Sequence, residues 1–373
     1  SGVWIMAYTT IDDPSEYFQT AIYNGNSSTL AVTSQGNATI APDWIWIKRR
    51  SSTSTHALFD STRGRAKSLG SESTDGEYNT ADTAKDLISF DTDGFTVGPA
   101  NQRNTNGASQ TFVAWQWKVN GGTTTTNDAS ATGIGDIDSV IQANQTAGIS
   151  IVTYTGTDTA GETFAHGLGA VPDMVIIKRR GADGDAWAVQ LATTLGNTNA
   201  LRLNESAVYG GGNGVGFWND TSPTSTVMSL GDRAEVNSAS TNTYVGYFFK
   251  SIQGYSKIGR YIGNGNADGS FVYTGFKPAY VMIKRTSGTE NWVIWDNKRD
   301  PFNNFYHVLL ANAASVEDTS NAGSGGRYVG DFLSNGFKLR NTHDTSNSSS
   351  TYIYMAFAES PFVSSTGTPT TAR

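Results

Sequence analysis

The feature that most constrains this fold is an apolar strand sequence that occurs three times. It reads DWIWIKRR at 43–50, DMVIIKRR at 173–180 and AYVMIKR at 279–285. Each copy follows a Tyr-x-Gly sequence and precedes a second apolar strand, at nearly constant spacing from a shared isoleucine (Ile47, Ile177, Ile283). The tyrosines lie 24, 23 and 22 residues before these isoleucines, and the later strands begin 64, 66 and 68 residues after them. Landmarks that keep their order and spacing predict three copies of one unit.

The composition favours extended structure within each copy. Aromatic residues make up 11% of the chain, glycines number 41 and only 16% of residues are charged. Short runs of β-branched and aromatic residues alternate with Gly, Asn or Asp, and long runs with helical spacing are missing. The sequence therefore predicts an all-β chain built of three tandem antiparallel β-sandwich repeats of jelly-roll-like type.

The landmarks also predict the domain limits. We expect repeats at 1–118, 148–250 and 251–361, a Gly/Thr-rich linker at 119–147 and a C-terminal tail at 362–373. The linker composition indicates a segment that is either flexible or laid along a neighbouring subunit. Because only SIQGYS separates the second and third repeats, we expect these two to pack as a fixed pair and the first to adopt its own orientation. Each repeat is also expected to bury enough surface to stand alone.

The two faces of the repeated strand differ in character. One face is β-branched in every copy, as with Ile45 and Ile47, whereas the other is large but variable, as with Trp44 and Trp46. Since side chains alternate along a strand, the constant face is predicted to lie in the sandwich core and the variable face on a surface covered differently in each copy. The face of the later strand that begins with Thr111 is also predicted to be core.

Cations follow the repeated strand, namely Lys48, Arg49 and Arg50 in the first copy. We expect their stems to lie on apolar surface and their heads to reach water, where they also discourage stray strand pairing. The alternative is a basic cleft for sulfated or carboxylated sugars, or for the acidic surface of another subunit. The net charge of −7 argues against a nucleic-acid partner.

Patterns typical of catalysis, metal binding or membrane insertion are weak. The chain has no cysteine and only four scattered histidines, and we find no P-loop, nucleophile elbow or dinucleotide motif. FDTDGF at 90–95 starts like a calcium loop but lacks the later carboxylates, so we predict a hairpin there and at FLSNGF, 332–337. No apolar run is long enough to span a bilayer, and neither a signal peptide nor an anchor is expected. We expect no enzyme, cofactor or metal, although paired carboxylates for glycoside cleavage stay open.

Aromatic residues supply the candidate ligand-binding side chains. Trp187 and Trp292 lie ten and nine residues after the reference isoleucine, and His56 takes the matching place in the first copy. Trp295 is followed directly by Asp296. An exposed tryptophan beside a carboxylate suits sugar binding, because the ring stacks and the carboxylate accepts hydrogen bonds. The alternative is that these aromatics fill the core or the contacts between repeats.

Three stretches of the chain resemble a known family. They are MAYTTIDDPSEYFQTAIYNGN from Met6, the strand PDWIWIKRR, and the block LISFDTDGFTVG with NTNGASQTFVAWQWK. They resemble the repeat proteins encoded among the structural genes of bacteriophages, many of them marine. The resemblance covers Met6 to about Phe362, and SGVWI ahead of Met6 departs from the family, whose members usually begin at this opening.

The resemblance implies a virion component such as a tail fibre, an adhesin or a head fibre, and it supplies no catalytic residues. We therefore expect a non-enzymatic virion structural protein on the particle surface, with other virion proteins and a host cell-surface glycan as partners. Phage fibres are usually trimers, so the resemblance also implies a homo-oligomer, formed through β faces or the variable face of Trp44 and Trp46. Weak sugar contacts at each copy would then combine. The alternatives are a free lectin-like carbohydrate-binding protein and, third, a polysaccharide-degrading enzyme.

Overall fold

The structure is a computed structural model that describes residues 7–100, 103–181, 184–210, 214–239, 241–320 and 326–370. Within these residues the chain forms antiparallel sheets with only very short helices, so the prediction of an all-β chain is confirmed. None of these helices is long and apolar enough to cross a membrane. Met6, the SGVWI segment and the last three residues of the predicted C-terminal tail lie outside the described residues.

The strands fall into three consecutive groups, which we call units 1, 2 and 3. Unit 1 comprises a 3-10 helix (Pro14–Glu16), β1 (Phe18–Asn24), β2 (Leu30–Val32), β3 (Trp44–Arg49), β4 (Ala57–Asp60), β5 (Lys67–Leu69), β6 (Tyr78–Asn79), β7 (Leu87–Phe90), β8 (Phe95–Val97) and β9 (Thr111–Trp117). Unit 2 comprises β10 (Thr125–Asn127), α1 (Ala129–Thr132), β11 (Ser139–Asn144), β12 (Ile149–Thr155), β13 (Thr163–Ala165), β14 (Met174–Arg179), β15 (Ala188–Leu191), α2 (Ala192–Leu195), β16 (Gly196–Arg202), α3 (Gly214–Trp218), β17 (Val227–Ser229) and β18 (Thr243–Phe249). Unit 3 comprises β19 (Ser256–Ile262), β20 (Phe271–Tyr273), β21 (Phe276–Arg285), β22 (Val293–Asp296), β23 (Leu309–Leu310), β24 (Gly330–Leu333), β25 (Gly336–Leu339) and β26 (Thr351–Pro361).

Each unit has one large sheet, and a common five-strand order recurs in all of them. The large sheets read β1-β9-β3-β4-β5-β6, β10-β11-β12-β18-β14-β15-β16 and β19-β26-β21-β22-β23. The repeated strand is β3, β14 or β21, which always lies between the last strand of its unit and the strand that follows it in sequence. The smaller sheets read β2-β8-β7, β13-β17 and β20-β25-β24. The predicted hairpins at 90–95 and 332–337 connect β7 to β8 and β24 to β25, and both are confirmed.

The Tyr-x-Gly sequence closes the first strand of each unit with one geometry. Each tyrosine hydroxyl donates to a distant backbone carbonyl, and each ring stacks at 5.0 Å and 12° on an aromatic residue of the last strand. The hydroxyl pairs are Tyr23 with Thr105, Tyr154 with Val236 and Tyr261 with Ser346. A Cβ on Gly25, Gly156 or Gly263 would meet a backbone oxygen at 2.0 to 2.2 Å, so only glycine fits at these turns.

Both faces of every large sheet are buried. The constant face, with Ile45 and Ile47 in unit 1, packs against the small sheet of its own unit, as predicted. The variable face, with Trp44 and Trp46, packs against the matching faces of the other two units in one shared cluster, which we call the central core. The face of the later strand predicted to be core also belongs to this central core, because Trp115 lies in it, while Phe112 faces the small sheet.

Aromatic contacts in the central core connect all three units. Trp44 of unit 1 stacks on Tyr247 of unit 2 with ring centroids 4.8 Å apart. Trp117 of unit 1 and Phe249 of unit 2 both contact Phe357 of unit 3, at 5.6 and 6.4 Å. The expectation that unit 1 adopts an independent orientation is therefore wrong: its aromatic face is as deeply buried as those of the other two units.

The predicted linker at 119–147 is part of the unit 2 sheet. β10 pairs with β11, and β11 pairs with β12 over six residues. Asp43 also accepts the backbone N–H groups of Val119, Gly121 and Gly122, which fixes the start of the segment against unit 1. The expectation of a flexible segment is wrong, because backbone pairing with the open edge of β12 orders these small polar residues.

Candidate functional site

The four residues predicted to bind ligand are all closed to solvent. Trp187, Trp292, Trp295 and Asp296 are at most 1% exposed. A sugar cannot stack on these rings because neither face of any of them is open. The prediction of a glycan site at these residues is therefore wrong, and the structure places them inside the core and at the contacts between units.

Trp187, Trp292 and His56 occupy equivalent positions, and each reaches into a neighbouring unit. The indole N–H of Trp187 donates to the carbonyl of Gly70 in unit 1, and that of Trp292 donates to Arg202 in unit 2, both at 2.9 Å. His56 of unit 1 places Nε2 3.0 Å from the carbonyl of Leu310 in unit 3. Unit 2 thus contacts unit 1, unit 3 contacts unit 2 and unit 1 contacts unit 3, so the three units form a closed ring.

The tautomer of His56 follows from its two partners. Trp46 donates its indole N–H to Nδ1 of His56 at 2.8 Å, so the proton of the neutral ring lies on Nε2, which donates to the carbonyl of Leu310. Burial lowers the pKa of His56 to about 3, and the nearby Lys48 charge acts in the same direction. We call each contact between two units a joint. The histidine is therefore a neutral hydrogen-bonding residue of the joint between units 1 and 3 rather than a general base open to substrate.

The lysine of the repeated strand is a second element of each joint. Lys48, Lys178 and Lys284 are 0% exposed, and each Nζ lies between backbone carbonyls, one of them from the neighbouring unit. The inter-unit acceptors are Ala314 for Lys48, at 3.0 Å, Thr74 for Lys178, at 2.7 Å, and Ser206 for Lys284, at 3.1 Å. The expectation that these heads reach water is wrong, because the neighbouring unit covers the strand end and supplies the acceptors. Burial lowers the pKa of all three lysines to about 8.

A buried carboxylate and arginine network reinforces the joint between units 1 and 2. Asp60 binds Arg63 at 2.5 Å within unit 1, and Tyr247 of unit 2 donates its hydroxyl to Asp60 at 2.7 Å. Glu77 then bridges Arg63, at 3.0 Å, to Arg180 of unit 2, at 2.9 Å. These arginines lower the pKa of Glu77 to about 2, against the opposing effect of its burial.

The joint between units 3 and 1 repeats this network. Asp296 binds Arg299 at 2.6 Å, and Trp115 of unit 1 donates its indole N–H to Asp296 at 3.0 Å. Glu317 bridges Arg299, at 3.0 Å, to Arg50 of unit 1, at 2.8 Å. Asp296, which the sequence predicted to bind sugar, therefore stabilises the joint between units 3 and 1. One alternative for the cations at the strand end was a contact with the acidic surface of another subunit. In the structure Arg50 makes such a contact with Glu317, but within the same chain.

An open groove lies where units 3 and 1 meet, and we call it the 3/1 groove. Its outer pocket, of about 370 Å³, lies on unit 3, and its inner pocket, of about 120 Å³, reaches β1 of unit 1. Asn297, Lys298 and Glu359 line both pockets, so the two pockets are adjacent. Phe302 forms part of the outer wall and is 82% exposed.

Sequence reasoning missed Phe302, although a signal for it is present. Counting from the matched Asp60 and Asp296, Phe302 corresponds to Ala66 in unit 1. It lies in the sequence RDPFNNF, where an aromatic residue stands among turn formers rather than in an alternating strand. Such an aromatic side chain is not needed to fill a core, and its exposed position points to contact with a ligand or partner.

The 3/1 groove contains few free ionic groups. Asp300 accepts the backbone N–H groups of Tyr306 and His307 and also contacts Nδ1 of His307 at 2.6 Å. Glu359 pairs with Lys277 at 2.8 Å. Among the residues that the structure describes, no group of three or more His, Asp or Glu side chains is placed to hold a metal ion. The groove therefore offers an aromatic wall and amide groups rather than a pair of facing free carboxylates.

Comparison with known proteins adds a family but no activity. A family model described as "Domain of unknown function (DUF7483)" matches residues 13–361. These limits run from Asp13, which caps the 3-10 helix, to Pro361, the last residue of β26, so the match spans all three units. No curated protein and no solved structure shows significant similarity to the chain.

Proposed function

The chain belongs to the DUF7483 family, a domain of unknown function. We propose that it is a non-enzymatic structural protein of a bacteriophage virion. In this proposal it is a fibre or adhesin component on the particle surface that contributes to host attachment through cell-surface glycans. One observation carries the proposal: the three units close into a ring around a shared aromatic core. In such a ring each unit packs against the other two, which suits a mechanical part that holds binding surfaces in fixed positions.

The finer description of the fold belongs to the same proposal. We infer that the three units are tandem β-sandwich repeats of jelly-roll-like type. The inference is supported by the common five-strand order of the large sheets and by the cluster that joins each large sheet to its small sheet.

Oligomer formation and contact with other virion proteins are further parts of the proposal. The face of Trp44 and Trp46 cannot mediate either, since the other two units of the same chain cover it. The outer surface of unit 3 includes the exposed apolar side chains of Ile262, Phe271 and Tyr273, at 70%, 47% and 53% exposure. A homo-oligomer, with the trimer as the expected form, would use this outer surface, and light scattering on the purified chain measures its mass directly.

The experiment that tests the proposal is immunogold imaging of virus-like particles purified from the source material. An antibody against the chain is expected to label the particles, at fibre tips for an adhesin or over the shell for a head fibre. The control is the same antibody after absorption with the purified chain, which must abolish the label. Label confined to material outside the particles would overturn the virion assignment and favour a free lectin-like protein, the reading that the 3/1 groove also supports.

A further inference from the structure

The geometry points to the 3/1 groove as a binding site for a neutral oligosaccharide, with the ring of Phe302 as its stacking platform. This inference rests on the proposed function, because it names the site and ligand class through which the chain would contact a host glycan. It replaces the buried tryptophans of the sequence prediction with one aromatic side chain that is open to solvent.

Phe302 is the first observation that supports a sugar ligand. Its side chain is 82% exposed, yet it lines a pocket rather than projecting from a flat surface. The apolar face of a hexose ring stacks on such an aromatic wall while its hydroxyls point to neighbouring polar groups. Since Ala66 stands at the matching position of unit 1, that unit lacks the stacking platform.

The polar groups of the groove are the second observation. The side-chain amides of Asn297 and Asn37 make no hydrogen bond within the described residues, and both residues line the groove. An amide offers both a donor and an acceptor, which matches the dual character of a sugar hydroxyl. Lys277 and Lys298 on the outer pocket are balanced by Asp300 and Glu359, so the lining carries no net charge and favours a neutral ligand over a sulfated one.

Thr20 is the third and independent observation. It lines the inner pocket, is 2% exposed, and its hydroxyl has no hydrogen-bond partner in the structure. A buried hydroxyl without a partner is destabilising, so a group that supplies one on binding gains free energy. Because this oxygen is closed to solvent in the structure, a ligand hydroxyl or a bridging water would satisfy it once the wall of the inner pocket shifts on binding.

The shape of the groove fits more than one sugar ring. The outer pocket of about 370 Å³ is within the usual range for small-ligand sites, and the inner pocket of about 120 Å³ is adjacent to it across the unit boundary. A linear oligosaccharide can therefore stack one ring on Phe302 and extend a second toward Thr20. The site is complete only while units 3 and 1 stay joined, because each unit supplies part of its wall.

The test is calorimetric titration of the purified full chain with neutral trisaccharides of glucose, mannose and N-acetylglucosamine. At least one is expected to bind with a single site per chain. Phe302→Ala should weaken that binding by about tenfold or more, since stacking and apolar contact are lost. Phe302→Trp should retain it, and Ile134→Ala, which removes an exposed apolar side chain of unit 2 outside the groove, should leave it unchanged.

Thr20→Val separates a binding role from a structural one. Replacing the unpaired hydroxyl by a methyl group is expected to raise the melting temperature of the free chain and to weaken trisaccharide binding. A rise in melting temperature with unchanged affinity would remove the inner pocket from the site. Absence of binding by all the trisaccharides, or binding that Phe302→Ala does not alter, would overturn the inference.

These outcomes are distinct from those of the particle-labelling experiment. Labelled particles together with no sugar binding would leave the virion assignment standing and reject the groove. Sugar binding that depends on Phe302, together with label found only outside particles, would keep the groove and reject the virion assignment. If Phe302→Ala instead abolishes the association of the chain with labelled particles while no sugar binds, the groove is a protein contact and the inference fails.

Discussion

At the scale of single residues, Lys48, Lys178 and Lys284 each bury an ammonium group that donates to backbone carbonyls. The charge of a nearby carboxylate, such as Glu72, Asp185 or Glu290, offsets the effect of burial only in part. Water is replaced by two carbonyl dipoles, which satisfy part of the charge but do not restore its full hydration. The pKa of each lysine consequently falls to about 8, whereas the unfolded chain keeps the ordinary value of about 10.4. The stability of the ring must therefore depend on pH in an unusual direction.

We predict that the free energy of unfolding rises between pH 8 and 10. In this window the unfolded chain still binds the three lysine protons that the folded chain has released, so stability increases with pH. Each lysine contributes at most about 1.4 kcal/mol per pH unit. Above about pH 10 the trend should reverse. Burial raises the pKa of tyrosines such as Tyr154 well above the usual value for tyrosine. Above pH 10 the folded chain therefore binds more protons than the unfolded chain. Urea unfolding at half-unit pH intervals measures the profile.

The control for this prediction is Lys178→Met, which removes one of the three groups. Its profile should rise less steeply between pH 8 and 10 than that of the unchanged chain, whatever its absolute stability. A free energy of unfolding that is flat or falling across this window in the unchanged chain would contradict the assignment of three charged, buried lysines.

Sequence reasoning reached part of this residue-level picture. The repeated spacing correctly grouped Trp187 and Trp292 with His56, and the contact between repeats was one of the two interpretations kept for them. It could not show burial, because a tryptophan such as Trp295, which Asp296 and Asn297 follow, is equally compatible with an exposed platform. For Lys48 the deciding group is the carbonyl of Ala314, which lies more than two hundred residues away in the chain.

At the scale of elements, Glu77 connects the end of the unit 2 strand β14 to unit 1 through two arginines. We predict that Glu77→Gln lowers the free energy of unfolding by about 2 to 3 kcal/mol, because Arg63 and Arg180 keep their charges but lose a largely buried partner. Glu317→Gln should have a similar effect at the joint between units 3 and 1. Chemical unfolding at pH 7 measures both.

A matched control for these substitutions is Glu359→Gln, which removes the carboxylate of an ion pair with Lys277. Both side chains of that pair are about two-fifths exposed. Solvent screening limits its contribution, so the change should stay within about 0.5 kcal/mol. If Glu77→Gln were as mild as Glu359→Gln, the bridge would not stabilise the joint.

The segment before unit 2 provides a second prediction at this scale. Backbone amides of β11 should exchange slowly with deuterium, because this strand is paired on both sides, with β10 and with β12. Mass spectrometry of peptides that cover 139–144 measures this exchange. Complete exchange within seconds, at the rate of an unstructured chain, would restore the flexible linker that the composition suggested.

Elements differed in how well sequence predicted them. Runs such as WIWIKR and the two F-x-x-x-G-F hairpins carry alternation and turn residues, and the structure has strands and hairpins there. The run SVIQAN in β11 carries no such pattern, with Ser139 and Gln142 buried and Ile141 only half-buried. Its order comes from hydrogen bonds to the edge of β12, a contribution that composition does not record.

At the scale of the whole molecule, the central core makes the three units depend on one another. Each unit contributes a face of large aromatic and aliphatic side chains that the other two cover. We predict a single cooperative unfolding transition, with far-ultraviolet circular dichroism and tryptophan fluorescence giving the same midpoint. Separate transitions for the two probes would contradict a shared core.

An excised unit provides the complementary measurement. Residues 251–361 alone would expose Tyr280, Met282 and Phe357, which are at most 2% exposed in the full chain. We expect this fragment to aggregate or to lack a cooperative transition, contrary to the sequence-based expectation that each repeat stands alone. The length of each repeat suggested that it buries enough surface to fold alone. That argument ignored the apolar outer face of each large sheet, which must be covered by other units.

The spacing of the landmarks predicted three copies of one unit, and the strands fall into three consecutive groups. The closure of these groups into a ring could not be predicted from the sequence. Closure depends on which side chain contacts which carbonyl across the boundary between two units. The composition of the long segment before unit 2 instead predicted a flexible linker and an independent unit 1. The 3/1 groove was missed for the same reason, since its walls come from residues such as Thr20 and Phe302 that are remote in the chain.

The three joints of the ring are built on one plan but differ in residues, and this has an evolutionary consequence. In an assembly of three identical chains every substitution appears three times, so a change that suits one position must be tolerated at all of them. Here Ala66 and Phe302 occupy corresponding places in units 1 and 3 and are different residues. A single gene that encodes all three positions can keep two as scaffold while selection modifies the third, which separates the evolution of recognition from the maintenance of architecture.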